Sequence, residues 1–296
     1  MSSVPTRVLT PNDADFPLPV RAMTKPPDRL YVRGVLPRQP SVAVVGTRAA
    51  TMQAMAFARE MAGTLADAGV AVWSGGALGI DGAAHEGALA VGGATVVVMG
   101  TGFAETYPAA HRELFDRVLE EGGAWLSLFD HEQRGARWTF LARNELMACM
   151  VDAVVLVQAP LRSGARSTVA AARRMNKPVW VVPASPWDAL GQGCVAELHL
   201  GGRVCDGPDR ILAALGRPVR RRRTTRSGAG AGASGEQAEP VERQVLEALG
   251  QGRAHPDEIC QRTGLPPGLV QGALLTLTLR HVLVEGSDGS FQRVTC

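Results

Sequence analysis

Three short glycine turns carry the residue types best suited to chemistry in this chain. Gly46-Thr47-Arg48 follows SVAVV, Ser74-Gly75-Gly76-Ala77-Leu78-Gly79 follows VAVW, and Gly100-Thr101-Gly102 follows TVVVM. Glycine lets backbone N–H groups converge on an anion at a helix N-terminus, where the helix dipole adds to the attraction, so phosphate is the expected guest. Arg48 adds a permanent cation whose fork geometry suits phosphate. Tight strand-to-helix turning would explain any one of these glycine turns, but several at the strand ends of one sheet favour a ligand. Asp81 and His85 are spaced so that they could meet, and a carboxylate would then raise the imidazole pKa. A structural role needs fewer assumptions: Asp81 caps the helix that follows, and His85 is hydrogen-bonded within the turn. No catalytic residue is therefore assigned.

The elements that position these turns follow from the apolar pattern. SVAVV, VAVW, TVVVM, DAVVLVQA and PVWVV are short β-rich runs of the kind that fill buried parallel strands. Helical stretches lie between them, among them Thr51–Ala68, which ends at Gly69 as a C-terminal glycine should. Strands alternating with helices predict an α/β fold with a doubly wound, mostly parallel sheet, and ligands in such sheets bind at the carboxyl ends of the strands. The turn at Gly100 lacks the third glycine of a dinucleotide fingerprint and sits on a later strand. A Walker lysine, a G-x-S-x-G elbow and an H-E-x-x-H motif are all missing. Neither a nucleotide cofactor nor a metal is expected.

Charge divides the chain. Residues 1–216 carry 20 basic and 20 acidic residues, whereas 217–226 (RPVRRRRTTR) add six arginines and no acid. The following SGAGAGASGEQAEP has the composition of a flexible tether. The expected organisation is a lead-in segment (1–40), an α/β domain (41–216), a linker (217–239) and a small C-terminal domain (240–296). The linker arginines are either incidental solvated charge or an arm that adds nonspecific attraction to phosphates. Five scattered cysteines, never in a C-x-x-C pair, read as reduced thiols. With neither a signal peptide nor a membrane-length apolar run, a cytoplasmic location without membrane attachment is expected.

From Pro240 the pattern becomes VERQVLEALG, PDEICQRTG and LPPGLVQGALLTLTLRHVLVEG, closed by SDGSFQRV. Three helices and a β-ribbon predict a winged helix. Its third helix, about Pro267–Arg280, has Arg280 as its one cation amid leucines. A helix that reads a groove needs donors for phosphates and base edges, so a protein contact is favoured over duplex readout.

SVAVVGTR, SGGALGIDGAAHEGAL and TVVVMGTGFAETYP together resemble, in order and spacing, the DNA-processing protein A family (DprA/Smf). The resemblance covers Asp28 to about Leu215 and resumes in the C-terminal module. It implies a Rossmann-like domain that binds single-stranded DNA as a homodimer in natural transformation, protects it and helps load the RecA recombinase, without catalysis. Carried over residue by residue, the nucleic-acid-binding set is Gly46, Thr47, Arg48, Ser74, Gly75, Gly76, Gly79, Arg143, Asn144, Ser163, Gly164 and Thr168. The family's FP-x-RNR reads Phe140-Leu141-Ala142-Arg143-Asn144-Glu145 here, so a cation has become an anion. Glu145 is expected either to face the strand and repel its phosphates or to pair with a nearby cation such as Arg143 in a structural role. No aromatic platform for bases is evident in the sequence. A phosphoribohydrolase-like enzyme on the same fold is the alternative, although Pro160–Val169 holds no glutamate for N-glycosidic cleavage. A sensor for a nucleotide ligand is a third reading.

Overall fold

A computed structural model describes residues 4–218, 240–250, 252–280, 282–286 and 289–294. The chain divides into two compact units, Met1–Arg221 and Arg222–Cys296. The linker expected over 217–239 lies outside the described residues from position 219 onward.

The larger unit is built on nine strands: β1 (Thr6–Leu9), β2 (Leu30–Gly34), β3 (Ser41–Val45), β4 (Ala71–Ser74), β5 (Thr95–Met99), β6 (Ala124–Ser127), β7 (Ala153–Leu156), β8 (Val179–Val181) and β9 (Arg203–Val204). Their order is β1-β2-β6-β5-β4-β3-β7-β8-β9. All neighbours from β6 to β9 pair in parallel, whereas β1 and β2 add on antiparallel. Helices α1 (Met52–Asp67), α2 (Ile80–Leu89), α3 (Arg112–Glu120), α4 (Arg137–Met150), α5 (Ala165–Arg174), α6 (Gln192–His199) and α7 (Asp209–Ala214) complete the unit.

Strand β3 shows why continuous apolar runs were needed. Val42 and Val44 face a core with Met61 and Leu65 of α1 and Ile80 of α2, while Ala43 and Val45 face a second core with Leu146 and Met147 of α4. A strand covered on both faces has no polar side, and each buried aliphatic side chain contributes about 1.5–3 kcal/mol. Thr51 caps α1 by accepting the Ala54 N–H at 3.2 Å, and Gly69 follows the helix at φ +76°. The lead-in segment is part of this sheet: Leu30 and Val32 of β2 and Val20 and Met23 before it are buried in the second core, with Ala43 and Val45.

The smaller unit comprises α8 (Pro240–Leu249), β10 (Arg253–Ala254), α9 (Pro256–Thr263), α10 (Pro267–Leu279), β11 (Leu283–Glu285) and β12 (Phe291–Arg293). The strands form an antiparallel sheet in the order β10-β12-β11. Val245, Ile259, Val270, Leu274, Leu277 and Phe291 make its core, and Gly264, left-handed at φ +68°, stops α9. This is a winged helix. Among the described residues the cysteines are free thiols, with Cys149, Cys194 and Cys205 buried, and no helix is long and apolar enough to cross a membrane.

Candidate nucleic-acid interface

The strand order reverses at β3, which has β4 on one side and β7 on the other. Loops leaving the two strands must diverge there, and the crevice between them is where open α/β sheets bind ligands. A cavity of about 840 Å³ occupies this position. Its walls include Gly46, Thr47 and Arg48 after β3, Pro160 to Ala165 after β7, Arg143 and Asn144 of α4, and Thr168 of α5.

The first glycine turn is held in place by Gln158. The Thr47 N–H donates to the Gln158 carbonyl at 2.7 Å, and the Gln158 side chain accepts the Thr51 N–H at 3.0 Å. Gly46 admits no side chain, since a Cβ there would lie 2.5 Å from Ile80 and 2.9 Å from the Gln158 carbonyl. This anchoring leaves Arg48 exposed over the cavity, its guanidinium carbon 5.8 Å from the ring centroids of both Tyr107 and Phe140. Arg137 and Arg162 are exposed on the same walls. Among the described residues none of these three arginines is in an ion pair, so the cavity carries uncompensated positive charge.

The second glycine turn corrects the expectation drawn from its sequence. Ser74, Gly75, Gly76 and Gly79 do not line the cavity; Ala77 and Asp81 represent that region there. The Ser74 hydroxyl donates to the Val44 carbonyl at 2.6 Å, and the Gly76 carbonyl contacts His111 Nδ1 at 2.9 Å. Gly79, at φ +79°, lets the turn close on the first one, for a Cβ would lie 2.5 Å from the Thr47 carbonyl. The Gly75 N–H donates to Asp81 Oδ2 at 3.1 Å and the Ala77 N–H to the same oxygen at 3.5 Å. Asp81 thus binds the glycine turn rather than capping its own helix. Burial pushes the Asp81 pKa up, against the opposing pull of Arg143 and of the N–H groups of Ala77, Gly75 and Gly46.

His85 also departs from expectation. It is hydrogen-bonded across to β5 rather than within the turn, with Nδ1 2.8 Å from the Thr95 hydroxyl. That hydroxyl donates to the Val72 carbonyl, so it accepts from His85, which fixes the Nδ1–H tautomer. Nε2 is buried with no partner among the described residues. Burial, reinforced by His111 and Arg143, lowers the His85 pKa to about 3. A neutral ring sealed from solvent is no acid–base catalyst at neutral pH.

On α4, Arg143 is only 5% exposed and forms the floor of the cavity rather than a free arm. Its Nη1 donates to the Val98 carbonyl at 3.1 Å, while Nε is buried without a partner among the described residues. Burial lowers its pKa, Asp81 restores part of the loss, and the nearby charge of Arg48 lowers it further. Asn144 donates to Ser167 Oγ at 2.7 Å and to the Gly164 carbonyl at 3.3 Å, tying α4 to the start of α5. Ser163 Oγ accepts the Ala165 N–H at 3.3 Å, and Gly164 has open space where a Cβ would sit.

Of the two expectations for Glu145, the pairing with a nearby cation is met, though by Arg174 rather than Arg143. It faces neither the main cavity nor Arg143. Its Oε1 accepts the N–H and hydroxyl of Thr24 at 2.8 and 2.6 Å and lies 3.9 Å from Arg174, because the helical step from Arg143 turns it toward the N-terminal segment. The expectation of no aromatic platform is corrected as well: Tyr107 and Phe140 line the cavity, with ring centroids 5.4 Å apart. Arg137, Arg162, Tyr107 and Phe140 are the residues that sequence reasoning missed. The signal for two of them lay in the motifs themselves, in the tyrosine of ETYP and the phenylalanine before Arg143.

Residues 7–216 match the family model described as DNA recombination-mediator protein A, and residues 229–288 match the DprA winged helix domain. A putative DNA processing protein DprA of Mycobacterium tuberculosis is 37% identical, over 97% of this chain and 76% of its own. The X-ray structure of DprA from Streptococcus pneumoniae superposes with a TM-score of 0.66 at 30% identity, over 71% of this chain and 74% of its own. DNA processing protein A from Helicobacter pylori, whose structure was described for its single-stranded DNA binding mode, superposes with a TM-score of 0.63 at 26% identity, over 72% of this chain and 96% of its own. By model, by relatives and by fold, the chain belongs to the DNA recombination-mediator protein A (DprA/Smf) family.

Proposed function

We propose that this protein binds single-stranded DNA in its main cavity, without turnover, in the service of recombination during natural transformation. The observation that carries this reading is the Arg48 guanidinium beside the Tyr107 and Phe140 rings, with Arg137 and Arg162 on the same walls. Arginines follow a phosphate backbone and aromatic faces take unpaired bases, a pairing that serves single strands and is of little use for a stacked duplex. The Helicobacter pylori relative described for single-stranded DNA binding supports it. Gly46, Thr47, Arg48, Asn144, Ser163, Gly164 and Thr168 are assigned to the contact surface, with Arg143 beneath it. Ser74, Gly75, Gly76 and Gly79 shape that surface from behind.

On family membership we also infer homodimerisation, protection of incoming DNA and loading of RecA, in the cytoplasm. For the winged helix, the role favoured is protein contact. Leu269 and Leu275 of α10 are exposed, and Arg280 at its end is held by Glu242 at 2.8 Å, which leaves little with which to grip a groove.

The test is a titration of the protein with a labelled single strand of about 40 nucleotides and with its duplex, over a range of salt. Preference for the single strand, with log K falling by roughly 0.7 per phosphate contacted for each decade of salt, is the expected result. Equal affinity for duplex, or indifference to salt, would overturn it.

A further inference from the structure

Beside the main cavity lies a second one of about 500 Å³, and Leu141 and Ser167 belong to the walls of both. It is framed by the N-terminal segment, the end of β6, α4 and α5. Its lining is largely apolar, with Met23, Leu128 and Ala170 among the contributors. Three charged groups break that surface. Lys25 is exposed, the Arg174 side chain is 60% exposed, and the Glu145 side chain is withdrawn to 19%.

The state of the Glu145 carboxylate is specific. Thr24 takes up Oε1 with two hydrogen bonds, whereas Oε2 accepts none among the described residues. Arg174 sits 3.9 Å from Oε1, too far for a hydrogen bond. A carboxylate fixed on one side and open on the other, at the wall of an apolar pocket, is an acceptor prepared for a donor group. The cations near it suit a flanking phosphate.

We propose that this cavity receives one base of the bound strand and that Glu145 makes guanine the preferred base; this rests on the strand-binding reading above. A single strand exposes its Watson–Crick edges. Guanine alone offers two adjacent donors there, N1–H and the N2 amine. On cytosine and adenine the amine stands next to a ring-nitrogen acceptor, and on thymine the single N–H lies between two carbonyls, so each presents lone pairs to the carboxylate. A strand crossing Leu141 from the main cavity would place its next base in the apolar pocket and its phosphate at Lys25 and Arg174. Glu145 thereby acts as a specificity residue, despite carrying the charge that DNA repels.

The experiment compares 20-nucleotide strands made of TTTG, TTTC, TTTA or TTTT repeats, with isolated guanines to avoid quadruplexes, by fluorescence anisotropy on the full-length protein. The TTTG strand should bind roughly tenfold more tightly than the TTTT strand. Inosine in place of guanine, which deletes only the N2 amine, should fall between them. Glu145→Gln keeps an oxygen for Thr24 but turns an NH2 donor to the base, and should abolish the guanine preference, with its thermal melt showing that the fold is intact; should it fail to fold, the inosine series decides alone. Equal binding of all four strands by the wild-type protein would overturn this proposal and leave strand binding standing, whereas no binding of any strand would overturn both. Displacement of the TTTG strand by free dGMP at matched base concentration would also overturn it, by making the occupant a mononucleotide.

Discussion

Arg143 fills the space beside Gly75: a Cβ built on that glycine would lie 1.4 Å from Arg143 Nη1. The glycine is needed for room, since its φ is not in the left-handed region. Gly75→Ala therefore has to displace a buried guanidinium from the Val98 carbonyl and from the field of Asp81. Overpacking of this kind costs about 1–3 kcal/mol, so the melting temperature should drop by several degrees. Strand affinity should fall with it, because Arg143 is the cavity floor. A thermal melt and a binding titration on the same variant check both, and an unchanged melting temperature would refute the packing argument.

His85 predicts an acid response. In the fold its pKa is near 3, whereas in the unfolded chain an imidazole titrates near 6.5. Between these values the unfolded chain takes up a proton that the folded protein refuses. The stability held above pH 6.5 is thus lost as pH falls toward 3, by up to about 1.4 kcal/mol per pH unit. Asp81, with its raised pKa, works in the opposite sense, but it is common to the wild type and to His85→Gln and cancels between them. The stability of the wild type minus that of His85→Gln, from urea unfolding at pH 7, 6, 5 and 4, should decrease steadily toward acid. A difference independent of pH would show that the histidine is not held neutral.

Arg48 should matter more to binding than the arginine run of the linker. Arg48→Ala removes a cation held over the cavity and is expected to weaken single-strand binding about tenfold, lowering the salt slope by roughly 0.7. Replacing Arg217, Arg220, Arg221, Arg222, Arg223 and Arg226 by serine should cost less at moderate salt. The opposite ranking in parallel titrations would move the site to the linker.

Tyr107 offers a test of base stacking separate from charge. It is 44% exposed, so Tyr107→Ala should barely move the melting temperature. Loss of a stacked base is worth about 1–3 kcal/mol, which predicts a clear drop in strand affinity with the salt slope preserved. Abasic sites in the strand should narrow the gap between wild type and variant.

The parts of the fold legible in sequence were those in which one run of residues settles its own environment. SVAVV and TVVVM became β3 and β5 residue for residue, because strands buried on both faces leave little room for other readings. The strands β1, β2, β6 and β9 were not read. TRVL and RV lie largely exposed at the two sheet edges, and LYVRG shows its buried Leu30 and Val32 only by alternation. In the site, Gly46 to Arg48 stood out because adjacent residues converge. Tyr107, Phe140 and Arg48 come from three separate loops and helices, and only the closed sheet brings them together. Glu145 was misplaced because neither Thr24 nor Arg174, the groups that hold it, is near it in sequence.

Asp81 has one more effect, on what can compete for this protein. The N–H groups of Gly75 and Ala77 are taken up by an anion from the chain itself, and Asp81 and Ala77 belong to the cavity wall. A free triphosphate arriving at the cleft meets a carboxylate where it would need donors. The charge on offer lies farther out, at Arg48, Arg137 and Arg162, and a polymer can engage several such points at once where a mononucleotide engages one. Abundant cellular nucleotides should therefore be poor competitors for the cleft, and the protein's occupancy should follow the supply of strands rather than the energy state of the cell.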